Sequence, residues 1–477
     1  MENTLTLLQE SLDAAFKPKS IAIIGASNGA RLGGTEMRLL LESGYDGQIY
    51  PVNPKEEIIQ GHKSYASIRD IPHEVDRASV IVPAKVVPQV IKECAEKGVK
   101  VVQIYSAGFS EMGGDGERLE QEMVTTAREH NMRIIGPNCI GTYCPSSGLN
   151  FTKGASTISG NIAFVSQSGG IAFDMVSRGH ITGIHFNKII SVGNCIDLDH
   201  ADYLEYLADD EETEIIGFYI ESVKNGKRFI DALKKAASKK KVVILKGGRT
   251  ATGSQSVASH TGNVAGDYQV WEALFDQTGA ISVKSIDKML TVLLSLQKIS
   301  PIESGKVAIV GNGGGATVLA TDYCEEVNLE LAELSNLSAT SLDQLGVADG
   351  GRNTNPIDMP ANQLAAEEGR LFGSVMKILA EDSEVGYILF HFNLVPIMNY
   401  MDLESIVQKM ITELESIDRT KTNLVAVLRY NGEPEVEKIR YKAMKLLESQ
   451  EIPTFKAIEE GLAGISVIAN QSLKGGR

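Results

Sequence analysis

The chain reads as an α/β protein made of three doubly wound domains with parallel sheets. Three stretches carry that reading: SIAIIGASNGARLGGTEMRLLLES (20–43), NIAFVSQSGGIAFDMVSRG (161–179) and KVAIVGNGGGATVLATDYCEE (306–326). Each opens with a short β-branched run, turns through small residues and continues with a helical pattern. Further apolar runs follow, among them ASVIVPA, VKVVQIYSAG, RIIGPN, EIIGFYIES, KVVILKGG, GYILFHFN and NLVAVLRYNG. Helical patterns such as VVPQVIKECAEKG and RFIDALKKAASKKK separate them. Alternation of this kind lays parallel strands beneath helices on both faces.

Taken in order, the first domain is expected over 1–155, ending in the polar, turn-rich LNFTKGASTISG (149–160). The second runs over 156–298 and closes on the helical SIDKMLTVLLSLQKIS. The third begins with PIESG and fills 299–477. The repeated opening implies repeated Rossmann- or flavodoxin-like architecture, without a solenoid period. A chain of 477 residues, 43% hydrophobic and 22% charged, suits several globular domains.

The net charge of −15 argues against a general binder of nucleic acid or anionic membrane. Five cysteines without a CxxC pair favour a reducing, cytoplasmic compartment over a disulfide scaffold. Clustered Cys and His are lacking, so no metal site is expected. The acidic start MENTLTLLQESLDAAFKPKS lacks a signal peptide's basic and apolar regions. No run of about 18 apolar residues suggests a membrane span.

In open α/β sheets, ligands bind beyond the carboxyl ends of the strands. A small-residue turn there admits a ligand close to the backbone, and the helix that follows aims free N–H groups at an anion. The first turn, GASNGARLGG, offers Ser27 and Asn28 as donors, and Lys55 in YPVNPKEE could add a charge. An unliganded turn and a solvated lysine are equally ordinary readings of those residues. The second turn, SQSGG (166–170), lacks the G-x-S-x-G spacing of a serine-hydrolase elbow, since Ser166 stands two before Ser168. Its hydroxyls and glycines suit an anion cradle, with Ser166 as a simple helix cap the alternative. The third turn, GNGGG (311–315), is the same device with an amide, and GATV in place of Gly-Lys-Ser/Thr excludes a Walker A loop.

His260 raises a sharper question, because VASHTGNVAG surrounds it with small residues. Upstream, KVVILKGGRTATGSQS reads as a strand and a long supple loop with Lys246 and Arg249 at its start. A loop histidine beside basic groups can attack a phosphoryl group, given a carboxylate to fix its tautomer. Glu221, at the end of IIGFYIES, is the candidate partner. An exposed or capping loop histidine and a surface carboxylate are the plain alternatives.

SVASHTGNVAG, preceded by KGGRTATG, resembles the phosphohistidine segment of the NDP-forming acyl-CoA synthetases, the relatives of succinyl-CoA synthetase that include ADP-forming acetate–CoA ligases. IAIIGASN, YPVNPK, VIVPA, SAGFSE and GPNCIG resemble their CoA-binding domain. FVSQSGGIAFD, SVGNCIDLDHADYLEYL and YIES resemble the second domain, and VAIVGNGGGATVLATD with NPIDM the third. The resemblance implies that acyl-CoA and phosphate give acyl phosphate and CoA, that His260 takes the phosphoryl group, and that ADP then receives it, reversibly. Glu221 would hold the far ring nitrogen. Two anion turns, Ser166, Gln167, Ser168, Gly169 and Gly170 and then Asn312, Gly313, Gly314 and Gly315, would converge on the phosphoryl group. CoA would meet Gly25, Ala26, Ser27, Asn28, Lys55, Val82, Pro83, Ser106, Ala107, Gly108 and Asn138. Cys195-Ile196 stands where many relatives carry a charged or small pair, and Cys195 is expected to be inert.

The resemblance also implies an ATP-grasp domain that binds Mg-ADP or Mg-ATP, for which this sequence leaves no room. The chain is therefore expected to be the α subunit of an α2β2 heterotetramer, its nucleotide held by an ATP-grasp β subunit, with no tightly bound cofactor of its own. Two other classes make different demands on the sequence. A CoA or acyl-CoA sensor predicts erosion at His260, Glu221 or the turns, and all are intact. A Rossmann oxidoreductase predicts GxGxxG with a ribose-binding acid, and neither is clear.

Overall fold

The computed structural model describes residues 2–261, 266–347, 355–398 and 402–474, with side chains omitted at 2–5, 259–261 and 471–474. They divide into two compact units, Met1–Met289 and Leu290–Arg477. The first unit holds two sheets and the second unit one.

The first sheet contains β1 (Ser20–Ile24), β2 (Gln48–Val52), β5 (Arg77–Val80), β6 (Val101–Ile104) and β7 (Arg133–Ile135), in the order β2-β1-β5-β6-β7. A hairpin of β3 (Ile58–Ile59) and β4 (His62–Lys63) stands apart. All pairings within the sheet are parallel. Strand residues alternate between two cores. Ile21 and Ile23 pack with α1 (Glu2–Phe16) and α2 (Leu32–Glu42). Ala22 and Ile24 pack with α3 (Val87–Lys97) and α4 (Gly116–Glu129). Period-two alternation thus covers both faces with helices, as a parallel sheet requires.

The second sheet runs β13-β12-β11-β9-β10-β8. Its members are β8 (Thr142–Tyr143), β9 (Ile162–Ser166), β10 (Phe186–Ser191), β11 (Ile215–Ile220), β12 (Lys241–Lys246) and β13 (Ile281–Val283). Only β8 is antiparallel, pairing Thr142 and Tyr143 with Ile190 and Ile189. Its helices are α5 (Gly169–Thr182), α6 (His200–Asp209), α7 (Gly226–Ala237), α8 (Ala251–Thr261) and α9 (Tyr268–Thr278). An Asp199–Asp202 capping box starts α6, and Gly183 and Gly279 in the left-handed region stop α5 and α9. One continuous core joins Leu12 and Phe16 of α1 to Tyr203 and Tyr206 of α6.

From there α10 (Ile286–Lys298) carries the chain into the second unit. That sheet, β15-β14-β16-β17-β18, contains β14 (Val307–Gly311), β15 (Ile357–Asp358), β16 (Tyr387–Asn393), β17 (Asn423–Arg429) and β18 (Thr454–Phe455). Helix α11 (Gly314–Glu326) follows β14 directly. With β8 and the hairpin set aside, all three sheets share the order 2-1-3-4-5 counted along the chain. In that order the crevice opens between the first and third strands. Each small-residue turn follows a first strand, so each stands at such a crevice. No helix among the described residues is long and apolar enough to cross a membrane.

Candidate active site

At the first crevice a cavity of about 700 Å³ is lined by Gly25, Ala26, Ser27, Lys55 and Val82, five of the residues expected to meet CoA. The backbone geometry there demands glycine. Gly25 has φ +97°, and a Cβ on it would lie 2.1 Å from the Ile81 carbonyl oxygen. A Cβ on Gly33 would lie 2.2 Å from the Gly25 carbonyl oxygen, so α2 starts hard against the turn. The Ser27 hydroxyl is buried without a partner among the described residues and is a donor for an incoming phosphate or amide. Asn28 is committed elsewhere. Its amide donates to Glu56 at 2.5 Å and Ile58 O at 3.1 Å, and its oxygen accepts from Gln60 N at 2.8 Å.

Pro83, Ser106, Ala107, Gly108 and Asn138 stand outside that cavity lining, although they too follow strand ends. The Ser106 hydroxyl donates to Val82 O, and Asn138 N donates to Ser106 O at 3.0 Å. Glu111 accepts from the N–H groups of Gly108 at 2.6 Å and Phe109 at 3.2 Å. Burial works to raise the Glu111 carboxyl, but these N–H donors and the Asn194 amide outweigh it, leaving it below its ordinary value.

Asn194 ties these loops to the second sheet, donating to Glu111 Oε2 at 2.6 Å and Glu120 Oε1 at 3.0 Å. Its own N–H reaches Pro137 O at 3.0 Å. Gly169, at the start of α5, lies against Ile140, and Val192 N donates to Ser166 O at 2.8 Å. Loops 106–111, 136–141, 166–170 and 191–195 therefore meet within the first unit.

In the SQSGG turn, Ser168 is the helix cap, accepting from Ile171 N at 3.5 Å. Ser166 is buried and turns inward, donating to Ser168 O at 2.6 Å. Gln167 also turns inward. Its Oε1 accepts from Glu221 N at 2.8 Å and Ser222 N at 3.2 Å, and its Nε2 donates to Ser222 Oγ at 3.3 Å. Gly169 and Gly170 at the head of α5 remain accessible to a ligand.

Glu221 is 4% exposed at the carboxyl end of β11, and Tyr219 OH donates to its Oε1 at 3.1 Å. Lys246, one of the two basic groups at the start of the segment that bears His260, is 2% exposed and donates to Glu221 O at 2.7 Å and to Gly247 O. Burial pulls the Lys246 ammonium down to about 8, while the Glu221 charge works the other way. Arg249 donates to Lys284 O at 3.0 Å and lies over the Tyr268 ring.

The segment expected as a supple loop is helical over Ala251–Thr261. Thr250 Oγ1 accepts from Gly253 N at 3.1 Å and starts it. Ala, Ser, Gln and Val supply sufficient helix propensity for a short run with such a cap. His260 lies in the last turn of α8, and its side chain lies outside the described residues, as do 262–265. Helix α8 packs near the Ser110–Met112 turn that Glu111 belongs to.

In the second unit, Asn312 is pinned to the end of β16. Its Nδ2 donates to Asn393 O at 3.0 Å, and its Oδ1 accepts from Asn393 N at 2.7 Å. Gly313, Gly314 and Gly315 are exposed, but Asp358 Oδ1 already accepts from Gly313 N at 3.0 Å. Cys195 is buried, which pushes its thiol up and keeps it unreactive.

Sequence reasoning missed Glu111, Asn194 and Tyr219, and missed Asn53, Gln89 and Glu93 around the cavity. Asn53 could have been found, since it follows β2 at a strand end and donates to Ala26 O at 2.8 Å. Asn194 has its side-chain partners Glu111 and Glu120 83 and 74 residues away, and nothing local records them.

A CoA-binding domain model matches residues 19–145, and a succinyl-CoA ligase-like flavodoxin domain model matches residues 159–296. The α subunit of ADP-forming acetate–CoA ligase II from Pyrococcus furiosus is 38% identical over 462 residues, 97% of this chain and 98% of that relative. ADP-forming acetate–CoA ligase I from Archaeoglobus fulgidus is 33% identical over 97% of this chain, which spans 64% of that longer protein. Among solved structures, the dinucleotide-forming acetyl-coenzyme A synthetase 1 of Ca. Korarchaeum cryptofilum, in complex with phosphate and ADP, superposes with a TM-score of 0.85. Identity there is 27%, over 98% of both chains.

Proposed function

The chain belongs to the NDP-forming acyl-CoA synthetase family, and from that premise we propose that it is the α subunit of an ADP-forming acetate–CoA ligase. The reaction starts with acyl-CoA bound along the first crevice. A phosphate oxygen attacks the thioester carbonyl, the C–S bond breaks, and CoA leaves as the thiol with a proton. A ring nitrogen of His260 then attacks phosphorus, and the P–O bond to the carboxylate breaks. The phosphoryl group finally passes to ADP, which a separate ATP-grasp β subunit holds with Mg²⁺ in a cytoplasmic α2β2 assembly. Splitting the coupling in two replaces one difficult step with two easier ones.

The observation that carries the reading is the placement of Glu221. It is buried at a crevice strand end in the same unit as the SQSGG turn and the helix that bears His260. A carboxylate held this way can accept from the far imidazole nitrogen and stabilise the attacking tautomer. Gly169 and Gly170 open α5 with free N–H groups for phosphate oxygens. Asn312 to Gly315 are proposed as a further phosphate-contacting turn. The cavity of about 700 Å³ suits an extended cofactor-sized ligand, with Ser27 and Lys55 toward its phosphates.

The test is phosphoryl capture from acetyl-CoA and radiolabelled inorganic phosphate. The wild-type chain should acquire label that is labile in acid and stable in base, and His260→Ala should acquire none while melting normally. Glu221→Gln should slow labelling without weakening CoA binding. Undiminished ligase activity in His260→Ala would rule out the covalent route.

A further inference from the structure

We propose that Lys246 is a positioning residue of the phosphoryl-transfer site, holding the end of the strand that carries Glu221 against the start of the segment that leads into α8. The inference rests on the phosphohistidine reading above and assigns a role to a group which that reading does not use.

A lysine is almost never buried without a specific reason, because its charge must be compensated. Lys246 is 2% exposed. Its place in the parallel ladder shows what the ammonium does. Strands β11 and β12 pair from Ile215↔Lys241 to Ile220↔Lys246, and Gly247 N donates to Ile220 O at 2.8 Å. Glu221 and Gly247 lie just past the last Cα pair, where the two chains part. Lys246 Nζ donates to the carbonyls of both, at 2.7 Å for Glu221 O. It also lies over the Trp271 ring, 5.4 Å from the centroid, where the π face offsets its charge. A methionine would fill the same apolar space. Only a multiple N–H donor can hold two carbonyls at a fork.

The consequence falls on Glu221. Its N–H is taken by Gln167 Oε1, its carbonyl by Lys246, and its carboxylate accepts from Tyr219 OH. Backbone and side chain are therefore fixed from three elements, the kind of support that holds a reacting group to its productive geometry. The other end of the clamp, Gly247, is three residues from Thr250, which starts the helix bearing His260. Lys246 thus sets the base of both partners of the proposed pair.

A double-mutant cycle tests the role. The full chain, with an ATP-grasp partner chain, is given acetyl-CoA and radiolabelled inorganic phosphate, and the rate of His260 labelling is measured for wild type, Lys246→Met, Glu221→Gln and the double variant. Lys246→Met should slow labelling by roughly ten- to a hundredfold. The KM values for acetyl-CoA and phosphate should change by less than about twofold. In the Glu221→Gln background the same substitution should slow labelling by less than about twofold, because the group it positions is already gone. A Lys246→Met rate within twofold of wild type overturns the proposal, and so does full additivity with Glu221→Gln, which would mark a general structural role. If Lys246→Met gives no cooperative melt, Lys246→Gln, which keeps an N–H donor for one carbonyl, carries the same cycle. Absence of His260-dependent label in the wild type would sink the phosphohistidine reading itself and this inference with it. A normally labelled wild type with an indifferent Lys246→Met sinks this inference alone.

Discussion

His200 is 2% exposed and sits against the rings of Phe218 and Phe229, with Nε2 unpartnered among the described residues. Burial and the nearby Lys224 and Lys246 charges lower its pKa to about 4. Above pH 6.5 the imidazole is neutral whether the chain is folded or not, so nothing is lost. As pH falls from 6.5 toward 4, the unfolded chain takes up a proton that the native site refuses. The native state therefore loses about 3 kcal/mol across that window. His200→Phe should flatten the acid slope of the first unit's unfolding between pH 6.5 and 4 and leave neutral-pH stability intact, as read by urea melts at several pH values. An unchanged slope would remove His200 as its source. The same scale shows what a sequence hides. Gln167 reads as a phosphate donor from its turn position, and Lys246 as a basic group at the start of the segment that bears His260. In the fold their polar atoms are used internally, by partners 54 and 25 residues away. Nothing local in SQSGG or KGGR records those distant partners. Glu221 was legible as a candidate partner of His260 from its place at the carboxyl end of a strand, and the motif resemblance gives the proposed pairing its chemistry.

At the scale of elements, strands were legible because parallel strands buried on both faces must be nearly all apolar, as in IAFVS and VVILK. Helix α8 was not legible, since Ser, Thr, Gly and Ala serve a loop and a capped short helix equally well. Helix α5 allows a clean test of its N-terminus. A Cβ on Gly170 would meet only Ser168 Oγ, at 3.8 Å, whereas one on Gly169 would press into Ile140 at 2.6 Å. Alanine at 170 therefore fits the fold and gains up to about 1 kcal/mol of helix propensity. It also places a methyl group where a phosphate oxygen would approach. Gly170→Ala should keep or raise the melting temperature while slowing His260 labelling by roughly tenfold or more. Equal labelling would mean that the phosphate does not come close to the head of α5.

The whole molecule repeats one sheet order three times, which explains why three turns of similar composition recur at similar positions. The sequence could not reveal that the first two sheets share a core, because that core joins residues nearly two hundred positions apart. Phe16 stacks on Tyr206 with ring centroids 5.8 Å apart, and Tyr206 OH donates to Asp13 Oδ1 at 2.9 Å. Strand β8, on the near side of residue 155, has β10 beyond it as its one strand partner among the described residues. A fragment of residues 1–155 would expose Leu12 and Phe16 of α1 and leave β8 unpaired. A fragment of 1–285, ending ahead of α10, keeps both sheets and their common core. The cavity at the first crevice is lined by residues 24 to 93 alone, so the longer fragment also keeps every wall of it. The 1–285 fragment should melt cooperatively and bind CoA within about threefold of the full chain. The 1–155 fragment should melt at least about 10 °C lower, since losing even a few kcal/mol of shared burial moves a domain of that size this far. Circular dichroism melts and titration calorimetry with CoA separate the outcomes. A 1–155 fragment as stable as 1–285 would mean that the contacts of α1 and β8 with the second sheet add nothing. A 1–285 fragment that folds without binding CoA would place the cofactor somewhere other than the first crevice.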